Sequence, residues 1–341
     1  MLLLSGDIGG TKTILRLVEI TSADRDYETI KEAKFVSAKF PDLVPMVRQF
    51  MTENQLRQPK LACFAIAGPV VNNRSNLTNL NWQLTASRLQ TELEIPRVHL
   101  INDFAANSYG VLDLKASEVV TLQTGTPIKN APIAVIGAGT GLGESFLISQ
   151  DDKYYVYSSE GGHTDFAPQN KLETQLLSYL QEKIGKSHIS VERVVSGQGI
   201  VNIYQFLRDS NFAPENSQIS QQIKAWETTT KKANIDPAAV ISVGAREMRD
   251  PLSIKTMEMF VAAYGAETGN LALKILPYGG IYIAGGIAAK NLSLMKQGIF
   301  LKAFQDKGRM KPLMENMPIQ MILDPQVGLK GSILYALKTS F

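Results

Sequence analysis

A chain of 341 residues with 35 Lys and Arg against 32 Asp and Glu, a net charge of +3 and 44% apolar residues has the composition of a globular protein of about two domains. There is no disorder signature, and no basic block beyond pairs such as Lys231-Lys232, so nucleic acid is not an expected partner. One cysteine, Cys63, excludes an internal disulfide and a multi-cysteine zinc site. The start lacks the charged and longer apolar regions of a signal peptide, and no apolar run approaches the ~18 residues of a membrane helix. A soluble, cytoplasmic protein with no membrane partner is the expectation.

In chain order, residues 2–4 read as a short strand and residues 12–20 as a second, joined by the glycine-rich Ser5-Gly6-Asp7-Ile8-Gly9-Gly10-Thr11. Residues 61–67 form an apolar strand stopped by Gly68-Pro69, and residues 98–101 another that ends in Asn102-Asp103-Phe104 and passes into a helix. Residues 133–136 and 145–148 repeat the strand pair around Gly137-Ala138-Gly139-Thr140-Gly141-Leu142-Gly143. From about 171 to 275 the pattern is mainly helical, broken near 212–216. Residues 281–284 are a strand closed by Gly285-Gly286 and followed by a helix. Placing Gly9 on Gly141 superposes the two glycine units at an offset of 132 residues. This spacing fits a duplicated α/β lobe with a cleft between the copies, or two unrelated hairpins.

Neither loop satisfies the common nucleotide motifs. Lys12-Thr13 follows Thr11 where a P-loop needs glycine, and a Gly-x-Gly-x-x-Gly started at Gly137 meets Leu142 at its sixth position. Each loop runs into a strand rather than a helix. A cradle of turn amides for phosphate remains, as does a plain tight turn. Beside a phosphate, Asp7 makes sense only with a divalent cation between them.

Asn102-Asp103 closes a strand at the end where ligands bind in open α/β sheets. An Asp there can accept the proton of an attacking hydroxyl, or the pair can simply cap the following helix. Glu160-Gly161-Gly162-His163 sets a carboxylate and an imidazole on either side of a turn, where both can converge on one ligand or the His can merely brace the turn. His99 and His188 show no such partner. Zinc on Glu160, His163 and Asp165 is poorly matched in donor type. Glu192 beside Arg193 reads by default as a solvated ion pair.

Gly6-Asp7-Ile8-Gly9-Gly10-Thr11, Ile101-Asn102-Asp103-Phe104, Gly137 to Gly143, Glu160 to Ala167, Glu192 to Gly197 and Ala284-Gly285-Gly286 occur in an order that resembles the bacterial glucokinase family, of the actin/hexokinase/heat-shock ATPase superfamily. The resemblance runs from about residue 4 to about residue 331. It implies an α/β fold of the ribonuclease-H-like, actin/hexokinase type, with two lobes, each a mixed β-sheet flanked by helices, about a central cleft. The expected division is a small lobe of residues 1–110 completed by 325–341, and a large lobe of 111–324. The implied reaction is ATP-dependent phosphorylation of D-glucose at its 6-hydroxyl, with Mg²⁺, glucose and ATP as partners and a homodimer as the assembly.

By the same resemblance Asp103 is the general base, and Asn102, Glu160, His163 and Glu192 bind the sugar, with Asn79 and Asn81 in a loop that approaches it. Gly6, Asp7, Ile8, Gly9, Gly10 and Thr11, with Gly139, Thr140 and Gly141, hold the phosphates. Gly285 and Gly286 approach the adenosine, and Asp7 meets the metal through water. A kinase for another hexose or amino sugar is the enzymatic alternative. A sugar-responsive regulator is expected to need a DNA-binding helix-turn-helix ahead of residue 6, where the sequence leaves no room. A filament or chaperone ATPase would leave the Glu160, His163 and Glu192 set unexplained.

Overall fold

The computed structural model describes residues 1–21, 26–77, 79–228 and 235–340; Thr78 and the Lys231-Lys232 pair lie outside them. The chain divides into one unit of residues 1–116 and 324–341 and a second of 117–323. The first boundary falls after 116 rather than 110 because the turn that follows belongs to the first unit. Val111 is buried, and Tyr27 Oη donates to Asp113 Oδ2 at 3.4 Å.

The first unit is built on β1 (Leu2–Ile8), β2 (Lys12–Ile20), β3 (Tyr27–Val36), β4 (Leu61–Ile66) and β7 (Arg97–Asn102), in the order β3-β2-β1-β4-β7, with β5 (Arg74–Leu77) and β6 (Trp82–Thr85) as a separate hairpin. β1 pairs antiparallel with β2 and parallel with β4, and β4 parallel with β7. Helices cover both faces, which is why β1 and β4 are apolar without alternation. On one face Leu4, Ile8, Phe64 and Trp82 pack with Phe50 and Leu89 from the helices Leu43–Glu53 and Ala86–Leu93. On the other lies the C-terminal helix Val327–Ser340, where Ser5 Oγ meets Ser332 Oγ at 2.6 Å. That helix packs on the helix Asp103–Gly110 at backbone contact. A Cβ on Gly331 would overlap Ala106 O, and one on Gly110 would overlap Val327 O. The last residues of the chain thereby seat the helix that starts at Asp103.

The second unit has β8 (Val119–Gln123), β9 (Ile133–Ala138), β10 (Leu142–Gln150), β11 (Lys153–Ser159), β12 (Gly280–Ala284) and β13 (Ile319–Ile322), in the order β11-β10-β9-β12-β13-β8. Its first five positions repeat the first unit's sheet: an antiparallel meander β9-β10-β11, then β12 parallel to β9 and β13 parallel to β12. The two glycine loops occupy equivalent turns, β1–β2 and β9–β10. The repetition seen in sequence is a repeated topology, with β8 added antiparallel at one edge. The helices Lys171–Ile184, Gly197–Asp209, Ser217–Thr228, Pro237–Arg246 and Pro251–Ile275 wrap a core that includes Ile136, Leu180, Tyr204, Phe260, Tyr264 and Phe300. Asp250 caps the longest of them through Ser253 N at 2.9 Å. No helix among the described residues is long and apolar enough to cross a membrane.

Candidate active site

In the first unit the β1–β2 turn is held from behind. Gly9 N donates to Lys12 O at 3.1 Å, Ser37 Oγ to Gly9 O at 2.7 Å, and Ser37 N to Thr11 O at 3.1 Å, while Thr13 Oγ1 lies 3.0 Å from Ser37 Oγ. These bonds occupy the Gly9, Thr11 and Lys12 carbonyls and leave the Gly10 and Thr11 amides without a protein acceptor among the described residues, the arrangement an anion cradle needs. Gly6 and Ile8 lie inside β1 instead. Ile8 is fully buried, and a Cβ on Gly6 would press on the Phe64 ring at 2.7 Å, so both contribute to packing. Asn79 flanks the cradle, its Nδ2 3.8 Å from where a Gly10 Cβ would stand. Asn81 takes a left-handed backbone, φ 54°.

Asp7 is the penultimate residue of β1 and Asn102 the last of β7, each near the carboxyl edge of its strand. Sequence left open whether Asn102-Asp103 caps a helix or does chemistry, and the structure divides the two roles. Asn102 is the cap: its Oδ1 accepts from Phe104 N at 3.0 Å and Ala105 N at 3.1 Å. Its Nδ2 donates to Gly68 O and to Asp103 Oδ1, both at 3.1 Å. All the hydrogen-bonding capacity of the Asn102 amide is therefore committed. Asp103 Oδ1 also accepts from Phe104 N at 2.8 Å, while Oδ2 accepts no hydrogen bond from the described residues. Burial raises the Asp103 carboxyl above its ordinary value, against the lowering effect of these hydrogen bonds.

Asp7 is pushed up from 3.8 to about 6 by burial and by the Asp103 charge, with Lys12 opposing. The folded state thus holds the Asp7 proton more tightly than the unfolded state. Stability falls as pH rises from about 4 to about 6 and stays lower above that. Asp7→Asn should stabilise the ligand-free protein at about pH 7 by about 1–3 kcal/mol and flatten this dependence. Urea titrations at about pH 4 and about pH 7 check it; an Asn variant less stable at neutral pH would remove the electrostatic conflict from the account.

In the second unit the β9–β10 loop is braced in the same manner. Gly139 N donates to Gly141 O at 2.8 Å, and Gly197 N to Gly139 O at 2.9 Å. The amides of Thr140 and Gly141 are left without a protein acceptor among the described residues. Glu192 is not paired with Arg193 as its neighbourhood in sequence led one to expect. Its Oε2 accepts from Leu142 N at 3.0 Å and fills the space of a Gly141 Cβ. Gly285, φ 87°, lies against the backbone of Ala138 and opens the helix Gly286–Lys290. The buried Tyr264 hydroxyl accepts from Ala138 N at 3.1 Å and lies 3.3 Å from both Ile136 O and Ala284 O. It joins the ends of the two strands that carry the Gly139–Gly141 loop and the Gly285-Gly286 turn.

Glu160 and His163 bracket a single turn closed by His163 N donating to Glu160 O at 2.9 Å. Their side chains are exposed and 3.8 Å apart. His188, which showed no carboxylate partner in sequence, stands 3.4 Å from Asp165, drawn there by the bridge between Asp165 and Ser190. Ser37 and Tyr264 are the supporting residues that the sequence reading missed; Ser37 carries no motif, and Tyr264 lies in the middle of a buried helix.

The family model for glucokinase matches residues 4–339. A glucokinase of Nostoc punctiforme is 56% identical over 337 residues, 98% of each chain. One of Synechocystis is 48% identical over an alignment of 345 residues, 98% of this chain and 97% of the other. The crystal structure of a glucokinase from an Antarctic psychrotroph superposes with a TM-score of 0.83 at 29% identity, covering 99% of both chains. With whole-length identity of this order and both glycine loops in equivalent turns of a repeated sheet, the chain belongs to the glucokinase family.

Proposed function

We propose that the chain's reaction, ATP-dependent phosphorylation of glucose, is driven by Asp103 as general base at the sugar 6-hydroxyl. One observation carries this reading: Asp103 is partly buried with Oδ1 fixed by Phe104 N and Asn102 Nδ2, while Oδ2 accepts no hydrogen bond from the described residues. A carboxylate held by one oxygen and raised by burial toward working pH is suited to take a proton as the phosphoryl group leaves ATP. Asn102 acts by holding Asp103 and reaches a sugar hydroxyl itself only by giving up one of its present bonds.

The free amides of Gly10 and Thr11, and of Thr140 and Gly141, receive phosphate oxygens, and Gly285-Gly286 the adenosine. Asn79, beside Gly10, lies by the first cradle, with Asn81 in the same loop. Glu160, His163 and Glu192 take the remaining sugar hydroxyls. Mg²⁺ fits at Asp7, a hard oxygen donor whose charge is disfavoured by burial and by Asp103 and would be favoured by a cation. When bound with ATP the ion neutralises charge on the phosphates. Asp7 would meet it through water.

A coupled assay of ADP formation across a sugar panel tests the assignment. Glucose should be preferred, and 2-deoxyglucose should lose about tenfold to a hundredfold in kcat/KM, the worth of one hydrogen bond to a charged group. A preference for fructose or N-acetylglucosamine would overturn the assignment of these side chains to glucose.

A further inference from the structure

Glu144 lies on β10, two residues past Leu142 and on the same face of the strand. It is 3% exposed, and its Oε1 is buried with no hydrogen-bond partner. Opposite it in the sheet stands Ser159, whose Oγ accepts from Gly161 N at 2.9 Å. Gly161 is where the turn meets Glu144: a Cβ there would overlap Glu144 Oε2. The turn that carries Glu160 and His163 is therefore seated against a buried carboxyl. It is closed by His163 N to Glu160 O at 2.9 Å and Thr164 N to Gly161 O at 3.0 Å.

We infer that Glu144 is a positioning residue for the sugar turn, its neutral carboxyl keeping residues 160–164 closed against β10 and its charged form releasing them. The inference rests on the assignment of Glu160 and His163 to the sugar. A neutral carboxyl tolerates the dry site, whereas a carboxylate with one oxygen unpartnered there bears the full desolvation penalty. The cheapest relief is movement of the turn, which lets water reach the charge.

The groups that face Glu144 from the helix Pro251–Ile275 are Glu267, Lys274 and the Tyr264 phenol. The turn meets Glu144 at Gly161, while its own titratable side chains, Glu160 and His163, are exposed. Glu267 is itself 4% exposed with Oε1 unpartnered. Burial first, and then the Glu267 charge, push Glu144 up from 4.5 to about 7, with Lys274 opposing. Because the closed state holds the proton and the open state does not, opening becomes easier as pH rises from about 4.5 to about 7 and levels off above.

The test is hydrogen–deuterium exchange of the peptide covering residues 159–165 in the whole protein, wild type against Glu144→Gln at each pH. The ratio of the two rates cancels the intrinsic pH dependence of exchange. It should rise at least about tenfold between about pH 5 and about pH 7.5 and then level. Glu267→Gln, which removes the like charge, should move the midpoint of that rise to lower pH and serves equally if Glu144→Gln does not fold. A ratio that stays flat, or a midpoint indifferent to Glu267, overturns the inference. Glucose should protect the same peptide. If the pH response is present but glucose gives no protection, Glu144 supports the turn as inferred and the assignment of the turn to sugar is what fails.

Discussion

Asp103→Asn should lower kcat by about 10²–10⁴, the usual worth of a positioned general base, and leave the glucose KM within a few-fold of wild type. The substitution is close to isosteric. The Asn carbonyl can still accept from Phe104 N, and Asn102 still caps the helix through Phe104 N and Ala105 N. Burial already disfavours the Asp103 charge, so a neutral amide should hold or raise the melting temperature. Acting as base, Asp103 also sets an acid limb in kcat/KM that burial raises above its ordinary value, and the Asn variant should lose that limb. Steady-state kinetics across pH with a thermal melt separate the readings. A folded Asp103→Asn with near-wild-type turnover would remove Asp103 from the chemistry and leave it as the first residue of a helix.

The elements legible in sequence share one physical cause. β1, β4 and β9 are covered on both faces, so apolar runs mark them. The turns after β1 and β9 need glycine, and glycine is visible. β3 was not legible because it is an edge strand whose Glu28, Lys31, Glu32 and Lys34 meet solvent or one another's charges, which hides the strand pattern while blunting the edge. β5, β6 and β13 have four residues each, too few for a period to show. Within the site, Asn102-Asp103 was visible as a pair, but which of the two caps the helix depends on atom-level geometry at the end of β7. Ser37 reaches the first loop only through the β2–β3 register, and Tyr264 arrives from 126 residues beyond the strand it stitches. Glu144 was not legible, because it falls between the glycine loop ending at Gly143 and the strand read from 145, whereas β10 starts at Leu142 and takes Glu144 inside. A charge in a buried strand carries a cost that asks for a reason.

Gly141→Ala should disturb both substrates at once. The Glu192 carboxylate occupies the volume of the missing Cβ and accepts the Leu142 amide at 3.0 Å, so an added methyl must push aside either Glu192 or the loop. Glu192 is the residue proposed to bind the sugar, and the loop is the one proposed as the second phosphate cradle. A displacement of about 1 Å at such a site is worth about 10²-fold in kcat/KM, and here it should appear in the glucose KM and the ATP KM together. Gly139→Ala is the informative companion. Its Cβ would enter open space in the same loop, so any loss should fall on ATP while glucose binding, measured by calorimetry without nucleotide, stays as in the wild type. If Gly141→Ala raises the ATP KM alone, Glu192 is a brace for the phosphate loop rather than a sugar ligand, and the bond between Glu192 and Leu142 is its whole function.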